Sequence, residues 1–530
     1  MGVHPTAMAR TEERIVQFLS RPRSYPHPVG VVERRETHVS RVFLAGAYAY
    51  KLKKPVKFPF LDASTVALRK KFCGLELSLN RRLAPSVYLG IVPVTEAGGR
   101  LALGGRGRIV DWVVKMRRLP EDRMLDQLVA RRRVSRRDMR RLAMRLLPFF
   151  RRAARGPSID RYGRPPQVAE LVLGNLRECQ PFVGGLVSEQ DRAFLEAAYR
   201  QYLALHAPLL TRRVKERRII DGHGDLRCEN ICMTDPVNVF DCVEFQPAFR
   251  CGDEANDFSF LVMDLEFRGR DDLARALVEQ YQRTMRDPTF NQVLAFYECH
   301  RSLVRGKVRG FAWLQHPRTA HGRRIRALSR RHFQLAIRYA KQFAPPRLIV
   351  ICGAIGTGKS TLARSLSGAL GAAWLRTDEI RLTEFAHARR TGQGFSEGLY
   401  APRISELVYQ RLMAKAEALL RQGRSVVCDG TFSQAAGRER LRRIAKRQGA
   451  SFHFFECVVP RAVALRRIAA RAAAQSDISE AKPEHYDRLQ AGFEPVRGWR
   501  PSEWSGISDN RAPRATFRAA VKVLQRLWAA

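Results

Sequence analysis

The segment Gly353-Ala-Ile-Gly-Thr-Gly358-Lys359-Ser360 constrains the fold of this chain more than any other, because the spacing G-x-x-x-x-G-K-[ST] has meaning only between a strand and a helix. Before it, Arg347-Leu-Ile-Val-Ile-Cys352 is short, apolar and β-branched and predicts a buried strand. After it, Thr361-Leu-Ala-Arg-Ser-Leu-Ser predicts a helix start. Strand, glycine turn and helix N-terminus together make a cradle whose backbone N–H groups turn onto phosphate oxygens. Lys359 is placed to reach the β- and γ-oxygens and Ser360 to ligate Mg²⁺. Gly353, Gly356, Gly358 and Thr361 complete the nucleotide-contacting set.

A second phosphate-chemistry signature lies upstream, in His223-Gly-Asp225-Leu-Arg-Cys-Glu-Asn230-Ile followed by Val237-Asn-Val-Phe240 and Asp241. In kinase-type catalysis one Asp accepts the substrate hydroxyl proton, an Asn shortly after it holds one Mg²⁺, and a later Asp holds the other. Asp225, Asn230 and Asp241 stand in that order. The competing reading is an acidic helix-to-strand turn, which does not require this set of residue types.

At 530 residues the chain exceeds a single core, and its length suggests about three or four compact units. No stretch is apolar enough for a membrane span, and Met1-Gly-Val-His-Pro-Thr lacks the basic start and apolar core of a leader, so a cytoplasmic protein without membrane contact is expected. The ten cysteines lack the tight pairs of a metal site and read as reduced core thiols. The formal net charge of +43 admits a polyanionic partner, but arginine is spread everywhere without aromatic interleaving, which favours solvated faces. Arg131 to Arg155 and Arg301 to Lys341 are the densest runs.

Residues 39–44 and 48–53 predict paired strands around Ala45-Gly46-Ala47, and 64–83 a helix carrying Glu76. Helical periodicity dominates about 120–210 and 255–341, bracketing the second signature. Pro345-Pro346 breaks the chain before a new strand. The expected division is therefore 1–117, 118–342 and 346–530. The last part alternates strands (348–352, 373–376, 425–428, 452–458) with helices (from 359, 405–421, 435–447, 514–528), which predicts an α/β domain with a parallel sheet covered on both faces.

Residues 30 to 310 resemble the aminoglycoside phosphotransferase family of kinase-like enzymes, most specifically at His223 to Ile231. The resemblance implies an α+β bilobal kinase-like domain, with Asp225 as catalytic base, Asn230 and Asp241 as Mg²⁺ ligands and Asp257 as the buried acid bracing the loop. It also implies a strand lysine at Lys51, paired with Glu76, on the nucleotide phosphates. Lys53, Lys54 and Lys57 compete with Lys51 for this assignment, Lys53 most closely, since strand alternation puts it on the same face as Lys51. No G-x-G-x-x-G loop is present, only Gly46. Clustered carboxylates suited to a polycationic antibiotic are scarce near the catalytic loop, limited there to Asp253-Glu254 and Asp271-Asp272, so an aminoglycoside acceptor is not expected.

The C-terminal part resembles small P-loop kinases of the group containing gluconate kinase, chloramphenicol phosphotransferase and phage polynucleotide kinase. Thr377-Asp378-Glu-Ile-Arg381 follows the second strand of that part, at the edge where such sheets bind ligands. Asp378 is the candidate general base and Arg381 a substrate contact. Asp429 in Ser425-Val-Val-Cys-Asp429 supports Mg²⁺. Arg467 and Arg471, one helical turn apart, would stabilise charge on the transferring phosphoryl group. Both resemblances occur in the order of a known bacterial two-domain arrangement, a phosphotransferase-like module followed by a P-loop ATPase or kinase. The expectation is an ATP-dependent phosphotransferase with two Mg-ATP sites and small-molecule hydroxyl acceptors. A polynucleotide 5′-hydroxyl kinase and a regulatory ATP-binding protein are the alternatives. Nucleic acid is not favoured as a partner, because no RNA- or DNA-binding motif is appended.

Overall fold

The computed structural model describes residues 7–58, 61–386, 401–474, 484, 486–508, 510 and 512–528, without the side chains of 7–9 and 471–474. The chain forms two compact units, one of residues 1–167 and 213–301 and the other of 168–212 and 302–530.

In the first unit, six antiparallel strands form one sheet: β1 (Val32–Glu36), β2 (Ser40–Ala45), β3 (Tyr48–Lys53), β4 (Tyr88–Ala97), β5 (Arg100–Leu103) and β6 (Arg108–Arg117), in the order β1-β2-β3-β6-β4-β5. Alternation along β3 sorts its side chains between two cores. Tyr50 and Leu52 join Ile15 and Leu19 of helix α1 (Ala7–Leu19), whereas Ala49 joins Cys73 of helix α2 (Val66–Asn80). Lys51 and Lys53 share the face of Ala49 and therefore meet α2. Thr65 caps that helix by accepting from the Leu68 N–H at 3.2 Å.

The rest of this unit is mainly helical. Helix α3 (Arg136–Arg152) opens with a Ser135/Asp138 capping box. A short antiparallel pair, β7 (Ile219–Asp221) with β8 (Cys251–Asp253), sets the start of the 223–230 loop. Helix α4 (Glu254–Phe267) is buried continuously from Glu254 to Leu265, and helix α5 (Asp271–Met285) packs against it and α3. The expected strands at 39–44 and 48–53 and the helix at 64–83 are observed nearly in place.

The second unit holds five parallel strands, β9 (Arg347–Cys352), β10 (Ala373–Arg376), β11 (Val426–Asp429), β12 (Ser451–Val458) and β13 (Trp504–Ser508), ordered β10-β11-β9-β12-β13. All six residues of β9 are buried, as expected of a strand covered on both faces. Leu348, Val350 and Cys352 pack with helices α6 (Pro402–Arg421) and α7 (Ala435–Arg447). Ile349 and Ile351 pack with α8 (Lys359–Leu370) and α9 (Pro513–Trp528). The parallel, doubly covered sheet matches expectation. β13, which sequence reading missed, adds an edge strand.

This unit also contains residues 168–212 and 302–342, which the sequence division placed with the preceding segment. Leu205 shares a core with Ile349 and Leu366, and a Cβ on Gly371 would lie 2.5 Å from the Ala197 Cα. All ten cysteines are buried free thiols. Among the described residues, no helix is long and apolar enough to cross a membrane.

Candidate functional site

In the first unit, β3, α2 and the segment after Phe240 bring five charged side chains together. Glu76, fully buried on α2, pairs with Lys51 Nζ at 2.8 Å through Oε1 and with Lys53 Nζ at 2.7 Å through Oε2. Lys51 Nζ also lies 2.6 Å from Asp241 Oδ1, and Lys53 pairs with Glu244. Burial pushes the Glu76 carboxyl up, but the two ammonium groups outweigh it and hold the acid well below the usual carboxylate range. Burial disfavours the Lys51 ammonium too, yet Asp241 and Glu76 raise its proton affinity well above the ordinary lysine value.

Behind this cluster stands the loop 223–230. Asp257 on α4 accepts the His223 N–H at 2.6 Å and the Gly224 N–H at 2.8 Å, the bracing expected of it. Burial lowers the His223 proton affinity, leaving a neutral ring whose Nε2 lies 3.0 Å from the Phe240 carbonyl oxygen. Arg301 donates to the Gly224 carbonyl at 3.2 Å from the same buried side. Asp225 accepts from Asn230 Nδ2 at 2.9 Å, so the candidate base and one candidate metal ligand are in contact. Arg227 also reaches it, with Nε 2.7 Å from Oδ1 and Nη2 2.8 Å from Oδ2.

Asp241 adopts a left-handed backbone (φ +62°), and its side chain is 47% accessible. The Tyr88 hydroxyl accepts the Asp241 N–H at 3.2 Å, and Asn80 accepts the Cys242 N–H at 2.9 Å while donating to the Glu76 carbonyl at 2.8 Å. Arg82 donates to the carbonyls of Asp221 at 2.9 Å and Gly222 at 2.7 Å. One helix and its C-terminal end thus hold the lysine strand, the Asp241 segment and the His223 loop. Arg227, Glu244, Asn80, Tyr88 and Arg82 are the residues that sequence reading did not assign here, and Lys53 it left in competition with Lys51. Strand alternation was the available signal for Lys53.

In the second unit the phosphate loop leaves the central strand β9. Gly353 (φ +133°) and Gly356 (φ +76°) tolerate no side chain, since a Cβ would stand 2.5 Å from the Cys457 carbonyl oxygen and 2.7 Å from that of Ala464. Gly358 precedes α8 as its N-cap, and Ser360 and Thr361 lie in the first turn of that helix. Lys359 Nζ donates to the Ala354 carbonyl at 2.6 Å, and the Gly353 N–H donates to the Thr431 carbonyl at 3.3 Å. Asp429, buried at the carboxyl end of β11, accepts from the Ser360 side chain and lies 3.6 Å from Arg376 Nε.

Asp378 sits in the first turn of helix α10 (Thr377–Glu384), immediately after β10, and its charge acts on both Lys359 and Asp429. Arg381 is buried on the same helix and donates to Ser405 Oγ at 3.2 Å. Arg467 lies partly buried on helix α11 (Arg461–Ala474). Arg471 belongs to that helix, but its side chain lies outside the described residues.

Two observations fit an anionic ligand with a cation at this second site. Burial lowers the Lys359 proton affinity, the state of an ammonium short of negative charge, and burial raises that of Asp429, a carboxylate short of positive charge. A phosphate and a divalent cation would correct both. In the first unit, the outward carboxylate of Asp241 beside Lys51 offers the same pairing. Mg²⁺ characteristically takes one or two protein carboxylates and completes its shell with phosphate and water, which suits Asp241 with Asn230, and Asp429 with Ser360.

Residues 348–496 match the AAA domain family AAA_33. Among solved structures, the chain is similar to an unliganded sugar kinase from Janibacter sp. HTCC2649, at 18% identity over 35% of this chain and 98% of that one, with a TM-score of 0.28. It is likewise similar to the Mycobacterium tuberculosis APS kinase CysC in complex with AMPPNP and APS, at 18% identity over 34% of this chain and 98% of that one, with a TM-score of 0.27. Among curated proteins it is 34% identical to uncharacterized protein Rv2004c of Mycobacterium tuberculosis H37Rv over 457 residues, covering 85% of this chain and 89% of the relative. A likeness of that extent, through a segment that carries the phosphate loop, shows that the chain belongs to the same family as Rv2004c.

Proposed function

We propose that this protein is an ATP-dependent phosphotransferase with two Mg-ATP sites, one in each unit, each passing the γ-phosphoryl group to a hydroxyl of a small molecule. The observation that carries the reading is the convergence of Lys359, Ser360, Asp429 and Asp378 around a glycine cradle at the carboxyl ends of parallel strands. The match to the AAA domain family supports the same site.

Bound Mg-ATP supplies the phosphoryl group, with the metal neutralising charge on its oxygens. In the C-terminal module Lys359 and the loop N–H groups hold the phosphates, and Asp429 and Ser360 hold the metal. Asp378 takes the acceptor hydroxyl proton on a carboxylate oxygen, Arg381 orients the acceptor, and Arg467 and Arg471 balance charge on the moving group. In the N-terminal unit, read as kinase-like, Lys51 holds phosphate oxygens while Glu76 holds Lys51. Asn230 and Asp241 take the metal, and Asp225 receives the acceptor proton. The contact of Asn230 with Asp225 at 2.9 Å supports the closeness these two roles require.

An ATP-consumption screen over sugars, nucleosides and other small hydroxyl compounds tests the proposal. The expected result is acceptor-dependent turnover that Asp378→Asn or Asp225→Asn abolishes. Turnover independent of every acceptor and insensitive to both substitutions would overturn it.

A further inference from the structure

The first unit contains more buried charge than a single lysine–glutamate pair requires. Lys51 and Lys53 face Glu76, Asp241 and Glu244, and the pairs form two rungs across β3: Lys51 with Asp241, and Lys53 with Glu244. Glu76 bridges the rungs by giving one oxygen to each lysine. The rungs differ in access. The side chains of Lys53 and Glu244 are 4% and 9% exposed, whereas that of Asp241 is 47% exposed. The inner rung is sealed and the outer rung opens to solvent.

We propose that Lys53 and Glu244 are positioning residues of the N-terminal site. They keep Glu76 paired and the Asp241 segment anchored to β3 while Lys51 turns from Asp241 to a phosphate. This inference rests on the reading of the first unit as a nucleotide site.

The argument is one of charge. A fully buried carboxylate that loses its only cation must take up a proton or pay a large desolvation cost. Lys51 cannot serve Glu76, Asp241 and a phosphate with equal strength at one moment. With Lys53 fixed on the other Glu76 oxygen, the acid stays ionised while Lys51 shifts outward. Glu244 holds Lys53 in that place and, standing shortly after Asp241 in the chain, ties the Asp241 segment to the strand. Burial pushes the Glu244 carboxyl up and the Lys53 charge opposes that shift, so each member of the rung sustains the ionisation of the other.

A buried ion pair contributes little net stability compared with an apolar pair of like volume, which makes a purely structural purpose a poor account of two such rungs. A purely structural role would also leave the metal dependence of nucleotide binding intact. That difference supplies the test.

In the 530-residue chain carrying Lys359→Ala, binding of AMPPNP is titrated by calorimetry over a range of Mg²⁺ concentrations, for Lys51→Met, Lys53→Met, Lys53→Arg and Glu244→Gln. The expected result is that Lys53→Met and Glu244→Gln each raise the Mg²⁺ concentration for half-saturation by about tenfold, while Lys53→Arg stays within about threefold of the parent. If Lys53→Met does not fold, Glu244→Gln, which keeps size and hydrogen-bonding capacity, carries the test. Should Lys51→Met weaken binding while Lys53→Met and Glu244→Gln leave the Mg²⁺ dependence unchanged, the positioning role is overturned and the nucleotide site stands. A fall in melting temperature at normal Mg²⁺ dependence also overturns it. If Lys51→Met leaves binding untouched, the site reading itself fails, and this inference falls with it.

Discussion

Asp257 accepts the His223 N–H at 2.6 Å from the first turn of a helix buried on all sides, so its carboxylate ties the start of the loop carrying Asp225 to the interior of the unit. The second Asp257 oxygen takes the Gly224 N–H at 2.8 Å. Asparagine at 257 would keep one acceptor and set an NH₂ group against the other N–H. Two charge-assisted bonds would become one neutral bond and one clash, at a cost of about 3 kcal/mol. Hydrogen exchange of peptides spanning 219–231 checks this. Asp257→Asn should speed their exchange by about a hundredfold, and unchanged protection would remove the bracing role.

Asp225 and Asp241 should separate kinetically. On the proposed mechanism, Asp225 as the proton acceptor would matter for transfer and little for nucleotide affinity, and Asp241 as a metal ligand would matter for both. With the C-terminal site silenced by Lys359→Ala, Asp225→Asn should keep Mg-ATP affinity near the parent value and lower turnover by about a hundredfold or more. Asp241→Asn should weaken Mg-ATP binding as well. Unchanged transfer in the Asp225 variant would reduce the resemblance of this unit to one of fold alone.

What could be read from sequence was what local spacing decides. The phosphate loop, its flanking strand and helix, and the strand Tyr48–Lys53 each carry a short-range pattern, and each is found in place. The choice between Lys51 and Lys53 stayed open because alternation puts both on one face, and Glu76 in fact takes both. Glu244 was invisible for a different reason. It meets Lys53 across 191 positions, from a segment with no periodic pattern, so only the folded chain reveals the pairing. Strand Trp504–Ser508 escaped because Gly506 and its serines give no apolar run, and its pairing with Phe454–Val458 defines it. Residues 168–212 look like any helical stretch. Their membership of the second unit is a fact of packing at Ala197 and Leu205.

Gly356 tests the cradle by geometry alone. Alanine there would keep an unfavourable φ of +76° and bring its Cβ to 2.7 Å from the Ala464 carbonyl oxygen and 3.0 Å from Ile468 Cγ1. Both neighbours belong to α11 or its core, so the loop must move instead. Calorimetry on Gly356→Ala should show Mg-ATP binding at one class of site rather than two, with the C-terminal affinity down by about tenfold or more. Two undisturbed sites would show that this backbone does not shape a phosphate contact.

The last prediction concerns Lys359 and pH. Burial lowers its proton affinity below the ordinary lysine value of 10.5, with Asp429 the leading opposing influence. In the empty protein the folded chain therefore binds fewer protons at this position than the unfolded chain. The stability contribution of Lys359 rises with pH between the lowered folded value and 10.5. A bound phosphate favours the ammonium and raises its proton affinity again. Binding across the same alkaline window must then take up protons, and affinity must fall as pH rises. With the first site disabled by Lys51→Met, calorimetry in two buffers of different ionisation enthalpy counts those protons directly. The parent should take up a fraction of a proton that grows with pH toward about one. Lys359→Met should weaken binding and abolish that uptake. Equal proton uptake in the two proteins would show that the Lys359 ammonium does not meet the phosphate.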